Sequence, residues 1–339
     1  MSAKQTRAEA RRAQLPWVEK YRPKSVDEVA HQPEVVRMLK RSMDSSNLPH
    51  MLFYGPPGTG KTSTILAIAK QLYGPELYSK RVLELNASDE RGIKVVRTKI
   101  KDFASTAVGT QTTAGYPCPP YKIIILDEAD AMTRDAQTAL RRTMEQYSTV
   151  TRFCILCNYI SRIIPPLTSR CAKFRFQPLE AGSISARLGV IVAAESVACE
   201  AGGLEAVVKH CGGDMRKAIM MLQTAHQYHE KVDEPTIVEI AALVPDTVMA
   251  SLVEAAHSQS FESLQREVAS IVVEGFPANQ VLLQLHDGML TDSMLEDSGK
   301  AAVAEALAVA DKCLSDGADD YLQLLNCASV YYGASTSKH

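Results

Sequence analysis

A chain of 339 residues, 46% hydrophobic and 22% charged with 18 Gly and 16 Pro, has ordinary globular composition, which excludes wholesale disorder and collagen-like or low-complexity character. No apolar run approaches the roughly 18 residues that span a bilayer, and Lys4, Arg7, Arg11 and Arg12 stand where a signal peptide would be apolar, so the reading is a soluble intracellular protein. The net charge of −2 hides an asymmetry: Asp246 to Asp320 holds 14 acidic residues against Arg266, Lys300 and Lys312, which leaves the rest of the chain at +9 and confines any nucleic-acid contact to the N-terminal two-thirds.

Along the chain, residues 1–15 form a polar arm. Met51 to Tyr54 reads as an apolar strand running into the glycine-rich turn Gly55-Pro56-Pro57-Gly58. Thr62 to Leu72 is a helix, with Ile65, Leu66, Ile68, Ala69 and Leu72 at helical spacing. Val82 to Leu85 is a second strand, Ile93 to Phe103 a second helix, and Thr106 to Pro120 a Gly/Thr/Pro-rich loop. The wholly apolar Ile123-Ile124-Ile125-Leu126 suits a parallel strand covered on both faces. Asp135 to Tyr147 (helix), Phe153 to Cys157 (strand) and Lys173 to Phe176 (short strand) complete a doubly wound α/β domain. Helical patterns follow, broken at Gly202-Gly203, Gly212-Gly213, Pro235 and Gly275-Phe276-Pro277. The expected division is an arm at 1–15, a nucleotide-binding α/β domain at 16–178, a helical lid at 179–240 and an acidic helical domain at 241–335.

Eight cysteines are scattered through a chain too large to need staples. Cys154 and Cys157 are a CxxC inside a strand; residues three apart there point to opposite faces and cannot share a metal. No zinc is expected.

Two motifs carry chemistry. Gly55-Pro56-Pro57-Gly58-Thr59-Gly60-Lys61-Thr62 fits the phosphate loop GxxxxGK[ST], with a strand before it and a helix after it. Its backbone amides, together with that of Ser63, converge on phosphate oxygens at a positive helix end; Lys61 reaches the β/γ-phosphates and the Thr62 hydroxyl ligates Mg²⁺. Sixty-six residues beyond Lys61, Asp127-Glu128 ends the apolar strand. Asp127 is placed to hold Mg²⁺, and Glu128 to orient and deprotonate a water that attacks the γ-phosphate. Together the motifs predict hydrolysis of a nucleoside triphosphate. Asp127-Glu128-Ala129-Asp130 also spells a helicase box, but residues 180–339 lack the second nucleotide domain that such helicases need.

A longer series of segments narrows the family. Trp17-Val18-Glu19-Lys20-Tyr21-Arg22-Pro23, Pro49 to Gly55, Leu85-Asn86-Ala87-Ser88-Asp89-Glu90-Arg91-Gly92, Asp127 to Asp130, Ala139 to Glu145 and Ser169-Arg170-Cys171 resemble the AAA+ ATPases, and within them the small subunits of the clamp loader replication factor C. The resemblance runs from Trp17 to about Leu222, and Tyr116 to Tyr121 looks most like one particular small subunit. It implies an AAA+ domain, a helical lid and an all-α collar that holds subunits together.

The resemblance assigns further roles. Val18, Arg22 and Val29 match the segment lining the adenine pocket. Asn158 resembles sensor 1, which contacts the γ-phosphate and the water. Arg216 resembles sensor 2, held in the first turn of a helix that Asp214 caps. Arg170 resembles the arginine finger that enters a neighbour's ATP site, worth about 10³–10⁵ in rate. Arg91, Lys94, Arg97 and Lys101 lie in a segment of five bases without acids; the resemblance makes it a DNA-phosphate contact, with Lys94, Arg97 and Lys101 on one α-helical face. The segment around Phe103 to Val108 is where the family would meet the clamp. The implied activity is that of a nuclear heteropentamer that opens the sliding clamp PCNA and loads it onto primer–template DNA in replication and repair. Two alternatives stay open: an AAA+ loader of another replication ring, and a mainly structural ATP-binding subunit.

Overall fold

The computed structural model describes residues 15–336 apart from 24, 26–27, 29–31, 45–47, 87–95, 107, 110–112, 201, 230 and 259. Two compact units divide the chain between Lys231 and Val232.

The first unit is built on five parallel strands: β1 (Met51–Tyr54), β2 (Val82–Asn86), β3 (Lys122–Asp127), β4 (Thr151–Cys157) and β5 (Ala172–Arg175), in the order β2-β3-β4-β1-β5. Strand alternation sends the side chains to two separate cores. Met51, Phe53, Ile123, Ile125, Cys154 and Leu156 pack with Ile65, Ile68 and Leu72 of the helix Lys61–Arg81. Leu52, Ile124, Leu126, Phe153, Ile155 and Cys157 pack with Ala136, Leu140 and Met144 of the helix Arg134–Gln146. Burial on both faces explains why Ile123 to Leu126 of β3 are all apolar, and each such side chain removed from water contributes roughly 1.5–3 kcal/mol. Cys154 and Cys157 sit in different cores, as the spacing predicts.

The long helix is interrupted at Gly74, whose φ of 62° and ψ of 176° are not helical, with Pro75 restarting it. A helix over Pro33–Asp44 precedes β1, and Val35 and Leu39 anchor it in the first core. Among the described residues of this unit, three helices follow β5: Ala181–Glu195, Gly203–His210 and Met215–Tyr228. The short helix Trp17–Lys20 is tied to them: the Trp17 amide donates to Gln223 Oε1 at 3.0 Å and its ring stacks on His226, while Arg187 Nη2 donates to the Tyr21 carbonyl at 2.7 Å.

The expected helix Ile93–Phe103 needs correction. Residues 93–95 lie outside the described set, and Val96–Ile100 forms a π-helical turn leading into an α-helix over Lys101–Ser105. A π turn holds more residues than an α turn, which shifts the phase. The i, i+3, i+7 face proposed for Lys94, Arg97 and Lys101 is therefore not that of one continuous α-helix.

The second unit is helical among its described residues: Glu234–Ile240, Asp246–His257, Phe261–Val273, Ala278–Thr291, Asp297–Ser315 and Asp320–Thr336. Leu264, Val268, Leu285, Val303, Leu307, Cys327 and Tyr331 form its core. Asp233 starts the first of these helices by accepting from the Thr236 amide at 2.9 Å, an N-cap worth about 1 kcal/mol. No helix among the described residues is long and apolar enough to cross a membrane.

Candidate active site

A cleft lies at the C-terminal ends of β1, β3 and β4, where a parallel sheet presents its loops. The turn after β1 is shaped by glycine. Gly55 has φ +142° and passes so close to β5's exit that a Cβ would lie 2.1 Å from the Phe176 carbonyl oxygen. Gly58, at φ +67°, faces Asp214, whose Oδ1 would be 1.6 Å from a Cβ. Gly60 precedes the helix Lys61–Arg81 without a side chain to cap it, so the first-turn amides are donors available to an anion.

Lys61 is buried, 8% exposed. Its Nζ donates to the carbonyls of Gly55 and Pro56 at 2.8 and 2.7 Å and to Asn158 Oδ1 at 2.9 Å. Burial lowers its pKa from the ordinary lysine value; Asp127, Cys157 and Asp130 act in the opposite sense. Three oxygen acceptors thus hold the ammonium where phosphate oxygens would replace them. Thr59 Oγ1 closes the turn on the Pro56 carbonyl at 2.9 Å.

Thr62 Oγ1 donates to Asp127 Oδ2 at 2.8 Å, and Asp127 Oδ1 accepts from the Glu128 amide at 2.9 Å. A hydroxyl and a carboxylate side by side are the hard oxygen donors that Mg²⁺ takes alongside phosphate and water, so these residues fit that ion. Glu128 is exposed and occupies the left-handed region at φ 52°, which is uncommon for a residue with a Cβ. Asp214 accepts from the Arg216 and Lys217 amides at 2.7 and 3.1 Å, capping the helix Met215–Tyr228 and leaving Arg216 in its first turn.

Of the residues singled out in the sequence, Val18, Arg22, Pro57, Gly58, Thr59, Gly60, Lys61, Thr62, Ser63, Asp127, Glu128, Asn158 and Arg216 line this one cleft. Gly55 and Pro56 contribute carbonyls to Lys61. Val29, Arg91 and Lys94 lie outside the described residues, as does the side chain of Arg97; Lys101 is exposed. Phe103 is half-buried beneath the Lys122 ammonium, 4.8 Å from its ring centre. Arg170 does not line the cleft. It sits in the turn before β5, 38% exposed, with Nη2 2.5 Å from Glu145 Oε1 and Nη1 donating to the Pro166 carbonyl at 2.7 Å.

The cleft also includes residues to which neither motif nor resemblance assigns a role: Tyr21, Leu179, Arg187, Met215 and Ile219. Arg187 had a signal, being the sole base of the helix Ala181–Glu195. The others are apolar or aromatic residues of the same kind that fill cores.

Against families of known proteins, residues 51–179 match the ATPase family associated with various cellular activities, and residues 244–330 match the replication factor C C-terminal domain. The chain is 55% identical to replication factor C subunit 2 of Oryza sativa over 93% of both chains. It is 53% identical to human replication factor C subunit 4, over 93% of this chain and 88% of that one. With subunit 2 of Saccharomyces cerevisiae the identity is 49%, over 94% and 93%.

The chain belongs to the replication factor C subunits. As a member of that family it is a clamp-loader ATPase subunit of AAA+ fold. The Tyr116–Tyr121 loop pointed to one particular small subunit, and the relatives named subunit 2 or subunit 4 agree with it. Among solved structures, the RuvB Holliday junction branch migration motor of Thermotoga maritima superposes with a TM-score of 0.51 at 15% identity, over 78% of this chain and 91% of that one, a likeness of fold.

Proposed function

We propose that this subunit works in a heteropentamer with other replication factor C subunits, which opens the sliding clamp PCNA and closes it around primer–template DNA in the nucleus. The observation that carries this reading is a division of labour. Lys61, Thr62, Asp127, Glu128, Asn158 and Arg216 meet in one cleft, while the exposed Arg170 stands apart from it. A chain built this way keeps a site of its own and has an arginine to lend.

In the cleft, Lys61 exchanges its carbonyl partners for β/γ-phosphate oxygens of ATP, and the amides of Gly58 to Ser63 hold the rest of the triphosphate. Thr62 and Asp127 are the residues that would hold Mg²⁺, which when bound offsets charge on the β- and γ-phosphates. Glu128 takes a proton from the attacking water, Asn158 orients that water, and Arg216 reaches from the lid to the γ-phosphate. Val18, Arg22 and Val29 line the adenine end. Arg170 leaves Glu145 for the neighbouring subunit's γ-phosphate, so hydrolysis depends on assembly. The basic segment with Arg91, Lys94, Arg97 and Lys101 meets DNA phosphates without reading sequence.

The test is a loading assay with the assembled complex, labelled clamp and primed DNA. The reading requires clamp capture in ATP and a closed clamp left on DNA after hydrolysis. An assembly that hydrolyses ATP without capturing the clamp has another client.

A further inference from the structure

Asp130 has no role in the scheme above, yet it joins the two halves of the cleft. The left-handed Glu128 turns the chain out of β3 into a tight 3-10 turn over Ala129–Ala131, closed by the Ala131 amide on the Glu128 carbonyl at 2.9 Å. Ala129 is buried, which fixes the turn against the second core. The turn carries Asp130 sideways to the end of β4. There Oδ2 accepts from the backbone amides of both Asn158 and Tyr159, each at 3.2 Å.

Neither amide has a strand partner, and although both residues are exposed it is Asp130 that holds them. The ladder of β4 with β3 ends at the pair Leu126–Ile155, and that with β1 at Tyr54–Cys157. Asn158 and Tyr159 lie beyond both, and one carboxylate oxygen does what a neighbouring strand no longer does. Fixing the Asn158 backbone aims its side chain, whose Oδ1 accepts from Lys61 Nζ at 2.9 Å. Asp127 ends β3, Glu128 and Asp130 follow it in one hydrogen-bonded turn, and through Asp130 that turn sets where Asn158 stands relative to Glu128.

We infer that Asp130 is a positioning residue for ATP hydrolysis, locking the Asn158 amide in register with Glu128 so that both reach the same water. This rests on the assignment of Glu128 and Asn158 to the hydrolytic site. The chemistry required of Asp130 is an acceptor for two N–H groups; its charge is secondary. Alanine removes the acceptor, and asparagine keeps an oxygen of the same reach.

The experiment compares wild type, Asp130→Ala and Asp130→Asn in the complete assembly, with steady-state ATPase, equilibrium binding of a fluorescent ATP analogue, and thermal unfolding. The expected result for Asp130→Ala is a kcat lowered about 10-fold or more, with KM and analogue affinity within about twofold, since orientation is lost and binding is not. Asp130→Asn is expected to recover at least half of the wild-type kcat. Three outcomes overturn the inference: an alanine variant within twofold of wild type, an asparagine variant as slow as alanine, or a loss of kcat matched by lost nucleotide binding and a lowered Tm. A wild-type assembly that binds the analogue without turnover overturns the hydrolytic reading itself, and the inference with it.

Discussion

Gly58 and Asp214 meet where the phosphate loop touches the first turn of the Met215–Tyr228 helix, and substituting either one should expose their coupling. The Met215 amide donates to the Gly58 carbonyl at 3.3 Å, and a Cβ on Gly58 would lie 1.6 Å from Asp214 Oδ1 and 2.1 Å from its Cγ. Gly58→Ala therefore costs twice. An L-residue at φ +67° loses about 1–2 kcal/mol, and expelling the Asp214 carboxylate forfeits an N-cap worth about 1 kcal/mol, at most about 2. The sum, about 2–4 kcal/mol, corresponds to nucleotide binding weakened by roughly 30- to 1,000-fold if all of it falls on the bound state. Asp214→Ala alone loses only the cap. In the double variant the clash is gone and the cap already spent, so it should bind as weakly as Gly58→Ala and no weaker. The coupling is then about 1 kcal/mol, well outside the roughly 0.3–0.5 kcal/mol within which independent sites add. Equilibrium binding of a fluorescent ATP analogue to the four chains measures it. Additive losses would refute the contact between loop and lid helix as the reason for glycine at 58.

Two further variants probe the Mg²⁺ ligands and a buried histidine. Thr62→Val keeps shape and removes the hydroxyl that faces Asp127; the Mg²⁺ concentration for half-maximal ATPase should rise about 10-fold, while analogue binding without divalent ions stays within a few-fold, and an unchanged Mg²⁺ titration would contradict the assignment. His50 accepts from the Phe153 amide at 3.1 Å, and burial, aided by Arg152, lowers its pKa from 6.5 to about 4. The unfolded chain then takes up the proton first, so stability is complete above about pH 6.5 and is lost as pH falls towards 4, on the order of 2 kcal/mol. His50→Asn keeps an acceptor without titrating; its Tm should fall less between pH 7 and pH 4.5 than the wild-type Tm, and equal falls would refute the argument.

What the sequence discloses follows from how local each signal is. The strands, the phosphate loop and the Asp127–Glu128 pair are legible because apolar alternation, glycines and a carboxylate at a strand end are properties of a few consecutive residues. The cap of Asp214 on Arg216 is local in the same way and forms as expected. Gly74 ends the first part of its helix after Tyr73, although apolar residues continue to Leu77, because a residue at positive φ breaks a helix without altering hydrophobic pattern. The π turn at Val96–Ile100 is invisible to a 3.6-residue period. Tyr21 and Arg187 join the cleft only because the Trp17–Lys20 segment packs on the lid helices, a contact spanning 166 residues between them. Asp130 looked like the last letter of a motif; its partners Asn158 and Tyr159 come from another strand, and only strand order β3-β4 brings them together.

On the function proposed above, this subunit owns one ATP site and completes another. The direct measurement is ATPase of the assembled complex with wild-type chain or Arg170→Ala, with and without sliding clamp and primed DNA, beside analogue binding at each site. Clamp and DNA should raise the wild-type rate, and the variant should lose about 10³-fold or more at the neighbouring site alone while its own site binds and turns over normally. A variant as active as wild type at every site, or one that fails only at its own, would contradict it.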